Sequence, residues 1–184
     1  DNANQLGYKI KLIGVAELEK KKIIQRVHPA LVAGNSYIAK INGVLNAVII
    51  ESNPVGKTVL QGEGAGPGPT TSSLISDLCS ILRGNVKFPF VLADKKRKHP
   101  LFANINDKKF SVYLRLDVKD KHGILSDVTK VMAKNQVSVK RLIQNPTANK
   151  KNASIVIVTH EAKSSSISTV LSILKKKNYL INIP

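Results

Sequence analysis

Two short stretches of this chain hold residue types whose spacing could do chemistry. In Asp120-Lys121-His122-Gly123-Ile124-Leu125 a carboxylate stands three positions before a glycine, and the glycine opens an amphipathic helix. A free amino acid presents an ammonium and a carboxylate. The Asp120 carboxylate can accept from the first, and the amides of Gly123 to Leu125, at a helix N-terminus, can donate to the second. Ser138, at the start of the next strand, is a supporting or cross-dimer contact. The plainer alternative has Asp120 merely capping the turn. In the other stretch Gly62, Gly64, Gly66 and Gly68 alternate between a strand and a helix over Thr70 to Arg83, presenting backbone amides and a helix N-terminus to an anionic or dipolar ligand. A dinucleotide fingerprint also needs a following strand that ends in an acidic residue about 20 positions on, and none is visible. A tight turn therefore stands beside the ligand reading.

The other polar residues assemble no site. Four scattered histidines and the single Cys79 lack metal-ligand spacing, so no metal is expected. His28, before Pro29 at a strand end, reads as a hydrogen-bonded structural residue, and His99 and His160 have no nameable partner. Glu51 and Asp77 are too far apart to argue as an acid-base pair, and no Ser, His and Asp arrangement can be built. No catalytic residue is assigned within the chain.

The elements that must position these stretches follow from periodicity. Val112, Leu114, Leu116 and Val118 alternate on one strand face, and Ile124, Val128, Val131 and Met132 share one helix face. A second strand runs from Val137 to Gln144 with Val137, Val139 and Leu142 inward. A polar hairpin at 145–152, a strand from Ala153 to Thr159, a helix from Ser164 to Lys177 and a strand from Leu180 to Ile183 complete a βαββαβ, ferredoxin-like order. The N-terminal part reads as a helix end capped at Gly7, then a hairpin of strands from Lys9 to Leu18 and Ile23 to Pro29. Leu31 to Ala39 reads as loop. Ala47 to Glu51 reads as a strand buried on both faces, Asn53 to Gly56 as a turn, and Thr58 to Gln61 as the strand before the glycines. The expected organisation is α+β: a partial mixed or antiparallel sheet domain with one helix over 1–83, a linker over 84–109, and the βαββαβ domain over 110–184. In the linker, Val86, Phe88, Phe90 and Leu92 alternate as a short strand, and the charge run Asp94 to Lys98 marks an extended connection.

The formal net charge is +17, which by itself would suit a nucleic-acid binder. The excess is shared between residues 1–109 and 110–184, its lysine runs sit at turns and helix ends, and aromatics make up 4% of the chain, too few to stack bases. No nucleic acid is expected. No apolar run reaches the roughly 18 to 20 residues that cross a bilayer, and no signal peptide is visible, so no membrane is expected either. A lone cysteine suits a reducing cytoplasm.

The segment LDVKDKHGILSDVTKVMAKNQVSVKRLIQ resembles an ACT domain, a regulatory module that binds amino acids on biosynthetic enzymes. Most members carry proline where this chain has His122, a difference that bears on the stiffness of the turn. Upstream, LGYKIKLIGVAEL, QRVHPALV, INGVLNAVIIES and GEGAGPGPTTSSLISDL stand in an order that resembles the C-terminal part of homoserine dehydrogenase, the oxidoreductase that interconverts aspartate semialdehyde and homoserine. The resemblance implies that the nucleotide-binding domain and catalytic groups lie upstream, that the chain is a fragment inactive alone, and that NAD(P) is the cofactor of the whole enzyme. It also implies that Gly66, with Gly64 and Thr70 behind it, lies against that cofactor. It implies an effector, threonine as pathway end product, held by Asp120, His122, Gly123, Ile124, Leu125 and Ser138 between paired ACT domains of a homo-oligomer. The alternative is a non-catalytic ACT protein that only senses amino acids.

Overall fold

The computed structural model of the chain describes residues 2–19, 21–85, 96, 99, 101–148 and 151–182. The readings that fall on Val86 to Leu92 and on most of the Asp94 to Lys98 run lie outside them. The chain divides into two compact units.

The first unit holds residues 101–184 together with 1–6 and 14–27. Its centre is a four-stranded antiparallel sheet of β7 (Tyr113–Lys119), β8 (Val139–Pro146), β9 (Asn152–Thr159) and β11 (Leu180–Asn182), in the order β11-β7-β9-β8. Two helices, α3 (Ile124–Lys134) and α4 (Ser164–Leu174), supply the crossovers, so the βαββαβ expectation holds. Leu114, Leu116 and Val118 of β7 meet Ile124, Val128, Val131 and Met132 of α3 and Ile167, Val170 and Leu174 of α4 in one core. Full burial of a side chain such as Leu116 is worth about 1.5–3 kcal/mol. Helix α3 stops where Gln136 turns left-handed at φ 59°, and Val137 N donates back to the Met132 carbonyl at 3.0 Å. The one fully buried polar side chain in β9, Thr159, accepts from Val112 N at 3.0 Å through Oγ1.

The face of β9 opposite the helices is buried too: Val156 is 0% exposed and Val158 5%. Arg141, the register partner of Val158, donates from Nη1 to the Leu6 carbonyl at 2.7 Å, which brings the end of α1 (Asn2–Gln5), with buried Ala3 and Leu6, to this face. The tip of the hairpin formed by β1 (Tyr8–Glu19) and β2 (Lys22–Ala33) belongs to the same unit. Its Arg26 guanidinium lies 4.5 Å from the centroid of the Phe110 ring.

The expected linker is therefore not all connection. Its end forms β5 (Leu101–Phe102), which runs parallel to Lys22 and Ile23 of β2, and a 3-10 turn at Ile105–Asp107. It then forms β6 (Lys109–Phe110), paired with β10 (Ala162–Lys163). Two-residue strands carry no periodic signal, and their pairing partners are distant in sequence.

The second unit holds residues 7–13 and 28–100. Here β2 continues through Ala33, where a loop was expected from Leu31. Among the described residues β5 pairs with β2 only at Lys22 and Ile23, which leaves Pro29 on an edge without a ladder partner there. The strands β3 (Leu45–Ser52) and β4 (Gly56–Glu63) form a two-stranded antiparallel ribbon. Two-sided burial of β3 is not what the structure has: Val48 is 57% exposed and Ile50 46%. A continuous apolar run implies two covering layers, and among the described residues one face of β3, with Leu45, Ala47 and Ile49, is half-buried and the other is exposed. The helix α2 (Pro67–Leu82) follows, with no residue fully buried.

Candidate functional site

The sequence Lys119-Asp120-Lys121-His122-Gly123 leaves β7 and turns into α3 on a glycine that no side chain could easily replace. Gly123 is the N-cap residue at φ 83°, left-handed backbone that costs an L-residue about 1–2 kcal/mol. Intrahelical bonding begins with Asp127 N donating to the Gly123 carbonyl at 2.9 Å. The amides of Ile124, Leu125 and Ser126 therefore have no partner inside the helix and form its positive end.

Beside this turn is an open cavity of about 760 Å³. Asp120, His122, Gly123, Ile124 and Leu125 all line it, with Lys119 and Lys121 at the rim and Val118 and Ile155 as an apolar floor. Asp120 N is fixed to the Lys151 carbonyl at 2.7 Å, and among the described residues its carboxylate has no hydrogen-bond or ion-pair partner. The helix has no side-chain cap, so the capping role for Asp120 is not the one the geometry gives.

Ser138 is not part of this cavity. Its carbonyl accepts from His160 N at 2.9 Å, next to the Val139–Thr159 pair, whereas the cavity lies toward the Lys119–Asn152 pair at the other end of β9. Gln144 lines the cavity and sequence reasoning passed over it. It shares strand parity with inward-facing Leu142, and a polar residue at an inward position was the available signal.

The glycine turn precedes α2. Gly66, its N-cap residue, has φ 123° and ψ 157°, backbone reserved for glycine. A Cβ at Gly64 would stand 1.5 Å from Asn46 Nδ2, so a side chain there would make the Asn46 amide swing aside. The Thr70 hydroxyl donates to the Gly66 carbonyl at 2.8 Å, and Thr70 N reaches the same oxygen at 3.2 Å. Pro67 and Pro69 have no N–H. In the first turn of α2 only Gly68 keeps an amide free, so the anion cradle expected from the sequence is reduced to one helical donor. On α2, Leu74, Ile75, Leu78, Ile81 and Leu82 form an exposed apolar stripe at helical spacing.

Among the described residues no group of three or more His, Cys, Asp or Glu could hold a metal, and no helix is long and apolar enough to cross a membrane. His28, expected to be hydrogen-bonded, has a buried Nδ1 with no hydrogen-bond partner among the described residues.

A four-stranded sheet in this order, two helices on one face and a glycine turn opening the first of them define a ferredoxin-like domain of the ACT class. Residues 112–178 match the ACT domain family, and residues 1–79 match the homoserine dehydrogenase family. The homoserine dehydrogenase of Neisseria gonorrhoeae is 33% identical over 185 residues, covering 94% of this chain and 41% of its own length. That of Helicobacter pylori is 31% identical, covering 99% of this chain and 43% of its own length. The crystal structure of a homoserine dehydrogenase from Thiobacillus denitrificans superposes with a TM-score of 0.83 at 26% identity, covering 99% of this chain and 42% of that one. The chain belongs to the homoserine dehydrogenase family, an oxidoreductase family, and corresponds to the C-terminal part of its members. The resemblance carried by its four upstream segments and its ACT motif is borne out. It spans about 41% of the length of its curated relatives.

Proposed function

We propose that this chain is the regulatory and oligomer-forming part of an NAD(P)-dependent homoserine dehydrogenase, and that its ACT domain binds a free amino acid, threonine in the first instance. The observation that carries the effector reading is the cavity lined by Asp120 to Leu125. The unpartnered Asp120 carboxylate accepts from the ligand ammonium, and the amides of Ile124 and Leu125 donate to its carboxylate. Gln144 faces the ligand side chain, whose methyl group rests against Val118 and Ile155. Lys119 and Lys121 add positive charge at the rim, beside the His122 imidazole.

The cofactor reading rests on Gly66 and Gly68. When bound, a nicotinamide cofactor supplies or accepts the hydride. Gly68 offers the one free amide of the first helical turn, and Gly66, with nothing but Pro69 Cδ near its would-be Cβ, leaves room for a ring. Thr70, engaged with the Gly66 carbonyl, holds the turn and does not donate to a ligand. The apolar stripe of α2 and the exposed face of β3 are suited to packing against other parts of the whole enzyme and against a second copy. Such an enzyme would work in the cytoplasm.

Feedback needs an effector that binds one state of the oligomer better than another. The test is kinetic: the full-length polypeptide should reduce NAD(P) in a homoserine-dependent manner and lose activity as threonine is added, and residues 1–184 alone should show no turnover. Full-length activity indifferent to every aspartate-family amino acid would leave the ACT domain structural.

A further inference from the structure

We propose that the ACT domain carries a second ligand site, between α3 and α4, that takes a phosphate monoester. A separate cavity of about 360 Å³ is lined there by Asp127, Lys130, Val131 and Lys134 from α3, and by Ile173 and Lys177 at the end of α4. None of these residues lines the effector cavity.

Three ammonium groups face one carboxylate, and that carboxylate is already engaged. Lys177 Nζ and the Tyr179 hydroxyl each reach Asp127 Oδ2 at 2.8 Å. Lys130 and Lys134 stand one turn apart on the same helix face, where like charges repel. Among the described residues neither has an ion-pair partner within bonding distance. Lys134 complements the negative end of the α3 dipole, but Lys130 comes before the last turn, where that effect has faded. A dianion between the two relieves the repulsion.

The chemistry of the wall selects among anions. Ammonium groups hold phosphate as point charges, and two of them one turn apart match the double charge of a phosphate monoester better than the single charge of a carboxylate. Val131 and Ile173 supply an apolar side, so an oxyanion carried on a small organic body matches the cavity better than a bare ion.

The test is an amide-resolved NMR titration of the 184-residue chain with glycerol 3-phosphate, beside a sodium chloride titration at matched ionic strength. The proposal expects saturable shifts at 130–135 and at Lys177 that chloride does not reproduce. In the K130Q/K134Q variant, which alters two exposed side chains, the midpoint should move about tenfold upward, as the loss of two charge-assisted contacts implies. An unchanged spectrum elsewhere would report that the variant is folded. Absent shifts, shifts equal to those in chloride, or an unchanged midpoint in the variant would each overturn the site.

Discussion

The Tyr179 hydroxyl donates to Asp127 Oδ2 at 2.8 Å, joining the segment before β11 to the first turn of α3. Lys177 reaches the same oxygen, and the bond from Lys177, followed by that from Tyr179, holds the Asp127 carboxyl below its ordinary value of 3.8. Burial first, and Asp127 second, raise the Tyr179 phenol above its ordinary value.

The signs differ for the two groups. The depressed Asp127 value contributes stability that is present above pH 3.8 and lost as pH falls through the lower folded-state value. The raised Tyr179 value contributes stability that is complete below about pH 10 and lost as pH rises beyond it. Tyr179→Phe should destabilise the chain at neutral pH by about 1 kcal/mol. It should also flatten the acid limb of a stability curve measured by urea denaturation between pH 2 and pH 6. An unchanged acid limb would mean that the bond does not persist in solution.

Truncation to residues 110–184 should weaken the ACT domain, because α1 and the hairpin tip go with the deleted segment. Exposing Val156 and Val158 costs up to about 1.5–3 kcal/mol each. Thermal melts of the 184-residue chain and the truncated domain, recorded side by side, check this. Equal midpoints would show that the outer face of β9 needs no cover.

Gly68→Ala probes the cofactor reading without disturbing the turn. The position is helical, and nothing lies within 4 Å of its would-be Cβ. Alanine there should leave stability unchanged or raise it by about 0.5–1 kcal/mol. In the full-length enzyme it should raise KM for NAD(P) more than KM for homoserine. Gly66→Val is less informative, because at φ 123° any side chain strains the backbone whether or not a cofactor is near. Equal changes in both KM values would favour a plain turn.

How far the sequence was legible depends on where each element finds its partners. The strand β7 and helix α3 were readable because both bury one face in a single local core: of the residues assigned inward, Leu114, Leu116, Val118, Ile124, Val128, Val131 and Met132 are buried, while Val112, before the strand begins, is half-buried against them. The run Ala47 to Glu51 misled because hydrophobicity reports that a face is apolar, not that the chain in hand covers it. The pairing of Lys22 and Ile23 with Leu101 and Phe102 rests on backbone hydrogen bonds between distant residues, which leave no pattern in side chains. At the effector cavity the turn was legible as a motif. Gln144 shares the parity of inward-facing Leu142, but a polar side chain adds nothing to the apolar pattern from which inward positions are read. Ser138 was placed by its nearness in sequence to the strand start, and the topology carries it to the opposite end of the sheet.

Calorimetric titration of the 184-residue chain with threonine tests the central claim most directly, with the other aspartate-family amino acids in parallel. The account predicts saturable heat for at least one of them, and its loss in Asp120→Ala, whose melting temperature should match the parent because the carboxylate has no partner among the described residues. No binding by the folded chain, or binding that survives Asp120→Ala unchanged, would contradict an effector site at the glycine turn.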